Sequence, residues 1–148
     1  MPRLSPELVS QIKLDTIIKI EQGCFTVEKM PQWGNSVYKV IELNIYFDLI
    51  FASLNSRNEY FFGIEKEQYE TIKQLGLSFY QIFICGNSEL CFMLPKIAMD
   101  NIISNKLATV HQGFSQWEPI IRLRENGYEM RFLGVYKIEI YLNHYHFL

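Results

Sequence analysis

Ile45-Tyr46-Phe47-Asp48-Leu49-Ile50-Phe51-Ala52, Leu54-Asn55-Ser56-Arg57-Asn58 and Glu59-Tyr60-Phe61-Phe62-Gly63-Ile64-Glu65-Lys66-Glu67 make up nearly all of residues 45–67. Two runs of apolar, aromatic and β-branched residues flank a polar turn, the pattern of a buried hairpin. Asp48 interrupts the first run, and an ionised carboxylate among Phe47, Leu49, Ile50 and Phe51 needs a partner, a metal ion or a proton. A hairpin centred between Ser56 and Arg57 sets Asp48 opposite Glu65, with the two side chains leaving one face about 5 Å apart. Such a pair repels unless a cation lies between, and its oxygens suit Mg²⁺ or Mn²⁺.

Working outward, the chain has 148 residues, 49% apolar, 15% aromatic and 20% charged, with a net charge of −2. That is the composition of one globular domain, and the acidic balance argues against nucleic-acid binding by bulk charge alone. Residues 1–104 read as a core and 105–148 as a C-terminal β extension, a candidate DNA-reading or interface element. Cys24, Cys85 and Cys91 are odd in number and lack metal-ligand spacing. No N-terminal apolar run suggests a leader or membrane span, so a reducing cytoplasm is expected.

Before the hairpin, Ser5-Pro6-Glu7 is a helix start. Leu8, Val9, Ile12, Ile17, Ile18 and Ile20 carry the helix to Gly23. Cys24 to Met30 and Val37 to Leu43 read as strands about the loop Pro31-Gln32-Trp33-Gly34-Asn35. After it, Tyr69, Ile72 and Leu75 predict a helix ending at Gly76. Phe79 to Cys85 and Leu90 to Leu94 predict strands, and Ile97 to Ile103 a short helix. Residues 105–116 read as a surface connection. Ile120 to Arg124 and Tyr128 to Phe132 form a second hairpin about Asn126-Gly127, followed by a strand from Val135 to Leu142.

The order helix, strand, strand with Asp, strand with an acidic end, helix, strand resembles the core of the restriction-endonuclease-like, or PD-(D/E)XK, nucleases over residues 5–94. Phe47-Asp48-Leu49-Ile50 stands where that family carries its Asp, and Ile64-Glu65-Lys66-Glu67 where it carries an acid, any residue and Lys. The resemblance implies an α/β fold, a mixed central sheet flanked by helices, and Mg²⁺ or Mn²⁺ held by Asp48 and Glu65. Glu7 or Gln11 would approach the ion from the first helix. Here Glu67 replaces the usual Lys. Either Glu67 orients the attacking water, sharing a face with Glu65 on an extended strand, or Lys66 does so through a strand irregularity. The plain alternative is a pair of surface carboxylates at the rim of a sheet. Gly63 leaves room for a phosphate.

Arg122, Arg124 and Arg131 lie on the second hairpin, and a two-stranded ribbon fits the major groove, where Arg reads guanine. Glu118, Glu125 and Glu129 offset their charge. Arg57 at the first turn, with Lys96, Lys106 and His111, adds candidate phosphate contacts. His144 and His146 read as a solvated pair, Trp33 and Trp117 as core or interface anchors. The resemblance thus implies a metal-dependent endonuclease acting on double-stranded DNA. It is similar to homing or junction-resolving enzymes and would be assembled as a homodimer or homotetramer, because one site cuts one strand. The competing expectation is a non-enzymatic α+β module, such as an immunity or adaptor protein.

Overall fold

The computed structural model describes residues 4–103, 109–111, 114–125, 127–132, 135–141 and 146–147. Helix α1 (Pro6–Glu21) leads into β1 (Val27–Lys29), β2 (Val37–Val40) and β3 (Ile45–Ala52). Short strands β4 (Glu59–Phe61) and β5 (Ile64–Glu65) precede α2 (Lys66–Ile72) and a 3₁₀ segment, Lys73–Ser78. Then come β6 (Phe79–Cys85), β7 (Cys91–Pro95), α3 (Lys96–Ile103), β8 (Thr109–His111) and β9 (Phe114–Trp117). The last strands are β10 (Pro119–Arg124), β11 (Gly127–Phe132), β12 (Val135–Tyr141) and β13 (His146–Phe147).

The fold is α/β, with a mixed six-stranded central sheet in the order β1-β2-β3-β6-β7-β13, flanked by helices. The first three strands form an antiparallel meander, and β6 joins β3 in parallel over seven residue pairs. The crossover from β3 to β6 carries α2, as a parallel connection requires. β4 leaves to pair with β10 in a second sheet, β12-β11-β10-β4, while β5 pairs with β9 in a third, β5-β9-β8. Residues from the C-terminal third therefore complete sheets begun in the middle of the chain.

α1 forms where the capping pattern predicts. The Ser5 hydroxyl accepts from the Leu8 amide at 3.2 Å, and Pro6 and Glu7 occupy the first turn. Its buried Ile12, Ile17 and Ile20 pack with Phe47, Leu49, Ile82 and Ile84 on one face of the sheet. The opposite face carries Val37, Ala52, Phe79, Phe83 and Cys85, covered by Tyr69, Ile72, Met99 and Ile103 from the helical segments. Each fully buried aromatic or aliphatic side chain contributes about 1.5–3 kcal/mol. Gly76, at φ +68°, breaks the helical stretch after α2 by entering a conformation that side chains resist. Among the described residues no helix is long and apolar enough to cross a membrane.

Three expectations are corrected. The hairpin between residues 45 and 67 closes only at its tip, where Leu54 bridges Tyr60 and the Asn55 amide donates to Glu59 at 2.9 Å. The turn centres on Arg57, with the Asn55 carboxamide oxygen accepting from the Arg57 and Glu59 amides, so the register shifts by one residue. β3 has no free edge for a longer hairpin, because β2 and β6 occupy both sides. Asp48 and Glu65 are thus not cross-strand neighbours. Nor does Glu67 share a strand face with Glu65: extended backbone ends at Glu65, and Lys66 opens α2, where Lys-Glu-Gln-Tyr-Glu favours helix. Residues 109–111 and 114–116, read as part of a connection, belong to β8 and β9.

Candidate active site

Side chains alternate along β3, so Asp48 shares the helix-α2 face of the sheet with Ile50 and Ala52. Its ladder partners are Val37 on β2 and Gln81 on β6. Gln81 interrupts its own apolar strand as Asp48 does, and the parallel register brings the two interruptions together. The Gln81 carboxamide nitrogen donates to Asp48 Oδ2 at 2.9 Å and to the Asp48 carbonyl at 3.1 Å. Asp48 is only 7% exposed, and burial pushes its carboxyl up to about 6, against the opposing pull of the Gln81 hydrogen bond and the Lys13 charge. The remaining oxygen of Gln81, Oε1, is enclosed without a hydrogen-bond partner. A buried carbonyl in that state is costly and marks a place for a donor or a cation.

A cavity of about 390 Å³ opens over these groups, with Lys13, Ser36, Asp48, Gly63, Glu65 and Gln81 among its walls. Asp48 and Glu65 therefore meet at one cavity, by a route other than hairpin pairing: Asp48 comes from β3, and Glu65 from the last residue before α2. Lys13 reaches round from α1 to donate to the Ser36 hydroxyl at 3.0 Å. Burial lowers its pKa, and the Asp48 charge opposes that shift. Gly63 borders the cavity with the Gln116 carboxamide packed against it, so that a Cβ there would lie 3.1 Å from Gln116 Oε1.

The carboxamide nitrogen of Gln68 donates to the Trp33 carbonyl at 2.9 Å, tying α2 to the loop that supplies Asn35 and Ser36 to the cavity. Gly34 sits under this tie at φ +152°, where a Cβ would fall 2.2 Å from Gln68 Nε2. Gly34→Ala is expected to break it, costing about 1–3 kcal/mol through strain and the lost hydrogen bond. Urea melts of the variant would read that loss; an unchanged midpoint would show that the tie contributes nothing.

The other residues singled out from sequence fall elsewhere. Glu7 and Gln11 are exposed on the outer side of α1, and Gln11 donates to Asp15 at 2.9 Å. Neither lines the cavity; Val9 and Lys13 do so from that helix. Lys66 and Glu67 are exposed in the first turn of α2. Arg57 is exposed at the hairpin tip. Arg122 and Arg131 are tied into a cluster with buried acids. Arg122 meets Glu129 at 2.9 Å and Glu59 at 3.7 Å, and Arg131 meets Glu59 at 3.3 Å. Arg124 contacts Glu129 at 3.3 Å while its side chain stays 51% exposed. Lys96 pairs with Asp100. Trp33 and Trp117 pack with the core. His111 and His146 lie in β8 and β13, whereas Lys106 and His144 are outside the described residues.

Sequence reasoning passed over Lys13 and Gln81, and both carry a signal. Lys13 lies one turn after Val9 and one turn before Ile17, within the inward stripe of α1. Gln81 is the one polar position of Phe79-Tyr80-Gln81-Ile82-Phe83-Ile84-Cys85 whose side chain is fully buried.

Among the described residues no three His, Cys, Asp or Glu side chains gather as a metal-holding group. The donors around the cavity are instead two carboxylates, Asp48 and Glu65, with neutral oxygens of Gln81 and Ser36 beside them. That set is hard and oxygen-only, and sparse enough to suit Mg²⁺, which keeps several waters and takes few protein carboxylates. No family model matches the sequence, and neither a curated protein nor a solved structure matches it.

Proposed function

We propose that the protein is a Mg²⁺-dependent endonuclease of restriction-endonuclease-like fold that hydrolyses phosphodiester bonds in double-stranded DNA, in the manner of a site-specific homing enzyme. The observation that carries this reading is the buried Asp48 beside the unpartnered Gln81 Oε1, in an open cavity that also contains Glu65 and a lysine. A fold that encloses a carboxylate at such cost needs a compensating cation or proton. The order α1, antiparallel meander, α2 and parallel strand supports the same reading.

Asp48 and Glu65 would hold the ion, with Gln81 Oε1 as a neutral donor; when bound, it supplies Lewis acidity to the scissile phosphate and to the attacking water. Lys13 fills the role that the family gives to the lysine of its motif, entering from α1 instead of following the acid along its strand. From the cavity wall its ammonium orients the water and offsets charge that develops on the phosphate oxygens. Arg57 and the exposed half of Arg124 are the hairpin residues free to meet the DNA backbone. One cavity serves one strand, so duplex cleavage calls for a symmetric dimer or tetramer.

The test is nicking and linearisation of plasmid DNA by the intact protein at low salt, with Mg²⁺ and with EDTA. Cleavage should require Mg²⁺ and fall at least about 100-fold in Glu65→Ala and in Lys13→Met, roughly the loss of one electrostatic contact to the transition state. A wild-type chain that neither binds nor cuts duplex DNA would sink the reading and leave the protein-binding module in its place.

A further inference from the structure

A second cavity, of about 530 Å³, adjoins the first and shares Tyr69 with it as a wall. Gln68 and Ile72 border the first cavity; Glu70, Lys73 and Gln74 border the second, whose remaining walls include Lys96, Asp100 and Trp117. Nothing in the nuclease chemistry uses it.

Its polar groups are unevenly satisfied. The Tyr69 hydroxyl donates to Asp100 at 2.6 Å, and Lys96 also bonds Asp100. Partial burial pushes the Asp100 carboxyl up, but the hydrogen bonds from Lys96 and Tyr69 outweigh it and hold Asp100 below the usual carboxylate range. Asp100 is therefore an ionised anchor that fixes Lys96 and the tyrosine. Trp117 is only 7% exposed and its ring meets Tyr69 edge to face at 5.8 Å, yet its indole N–H has no acceptor. Lys73 stands exposed at the rim, and its charge acts on Asp100 together with that of Lys96. The unmet group is thus a donor, in a cleft that also contains the Lys73 and Lys96 ammonium groups; Glu70, the other acid, is exposed. Asp100 and Glu70 balance the charge of the two lysines, and the polar atom the cleft leaves unmet is the indole N–H, which calls for an acceptor.

We propose that this cleft binds a phosphoryl group, received by the Trp117 indole N–H and the Lys73 and Lys96 ammonium groups. If the nuclease reading holds, the group is a backbone phosphate of the DNA lying across α2 from the one at Asp48; otherwise it is a free phosphate. Indole and ammonium N–H groups donate charge-assisted hydrogen bonds to phosphoryl oxygens, and such a bond would satisfy the indole.

The chain has two tryptophans, so the experiment reads the Trp117 indole N–H resonance in ¹⁵N-labelled full-length protein, assigned with Trp33→Phe. Inorganic phosphate, titrated against chloride at matched ionic strength, should shift that resonance and leave the Trp33 resonance in place. Lys73→Gln, an exposed substitution, should weaken the response several-fold, as should Lys96→Gln. A duplex oligonucleotide added in EDTA should produce the same shift. Lys73→Gln should then lower the slope of log affinity against log salt by about one. A shift with phosphate but not with duplex assigns the cleft to the free ion. Duplex that binds nowhere removes the nuclease reading, while the phosphate titration still decides this one. A Trp117 resonance that ignores both probes, or that responds undiminished in both lysine variants, overturns the proposal.

Discussion

Asp48→Asn should raise the unfolding temperature of the metal-free protein at pH 7.5 while lowering Mg²⁺-dependent cleavage by about 1,000-fold or more. The two effects have one cause. Burial lifts the Asp48 carboxyl from an ordinary 3.8 to about 6, so the folded state holds its proton more tightly than the unfolded chain does. Below the unfolded value both states are protonated and the group costs nothing. As pH rises through the window between the two values, the unfolded chain ionises first, and folding loses stability until the penalty is complete above about 6. Two pK units at 1.36 kcal/mol each put that penalty at about 3 kcal/mol. An asparagine carries none of it, and its amide can still accept from Gln81. Thermal melts of both proteins should therefore coincide near pH 4 and separate toward pH 7.5, with the variant higher. Mg²⁺ should stabilise the wild type and not the variant, since only a native-state ligand raises stability. A wild type more stable than Asp48→Asn at pH 7.5 without metal would mean that its carboxylate is satisfied within the fold, and the functional reading would lose its basis. The loss of cleavage follows from removing the charged ligand, which supplies several kcal/mol at about 1.36 kcal/mol per factor of ten.

Glu129→Gln is expected to destabilise the fold by about 3–5 kcal/mol, the cost of breaking a buried ion pair from one side. Glu129 is 1% exposed, accepts from Arg122 Nε at 2.9 Å and forms an ion pair with Arg124 Nε at 3.3 Å; Glu59, on β4 at the far side of Arg122, meets Arg131 and Arg122. β4 reaches β10 through Glu59 opposite Arg122, so the cluster also joins the middle of the chain to the C-terminal hairpin. The glutamine retains shape and one acceptor but leaves the guanidinium groups short of negative charge. For a chain of this length the loss corresponds to a fall in melting temperature of about 6–15 °C. Urea denaturation at neutral pH measures it directly, and a change under 1 kcal/mol would show the cluster to be solvated and energetically idle. A paired Arg122→Met, Glu129→Met variant should recover much of the loss, because Glu59 keeps Arg131 and the one guanidinium left without its acid, Arg124, is half exposed to water.

The sequence made most of the local elements legible. Capping residues set α1, apolar runs marked β3 and β6, and Asn126-Gly127 placed the second hairpin. It also marked Asp48 as anomalous, and that acid is buried as its run predicts. What pattern could not reveal was pairing between distant strands. An apolar run such as β3 announces burial on both faces but not which strands lie beside it, so a local hairpin was the simplest reading and the parallel partner β6 was missed. The helix start at Lys66 was lost for a related reason, because Glu65-Lys66-Glu67 fits a strand face as readily as a first helical turn. Glu65 reaches the Asp48 cavity through the tertiary route that opens α2, and no local period encodes that. The arginines of the second hairpin were legible as a ribbon of charge, but their neutralisation by Glu59 depends on β4 joining that sheet.

The central sheet ends in a three-residue strand on one side, β1 with its exposed Glu28 and Lys29, and in the two-residue β13 on the other. Among the described residues neither rim offers a long edge strand, and an abbreviated rim, charged on the β1 side, discourages another strand from adding to it. In the symmetric assembly that the proposed function calls for, such rims disfavour fusing the sheets into a continuous ribbon and favour joints through helix surfaces, loops or the outer hairpin layer. Such a joint can turn two cavities toward opposite strands of a duplex at a spacing that the length of a shared sheet does not dictate.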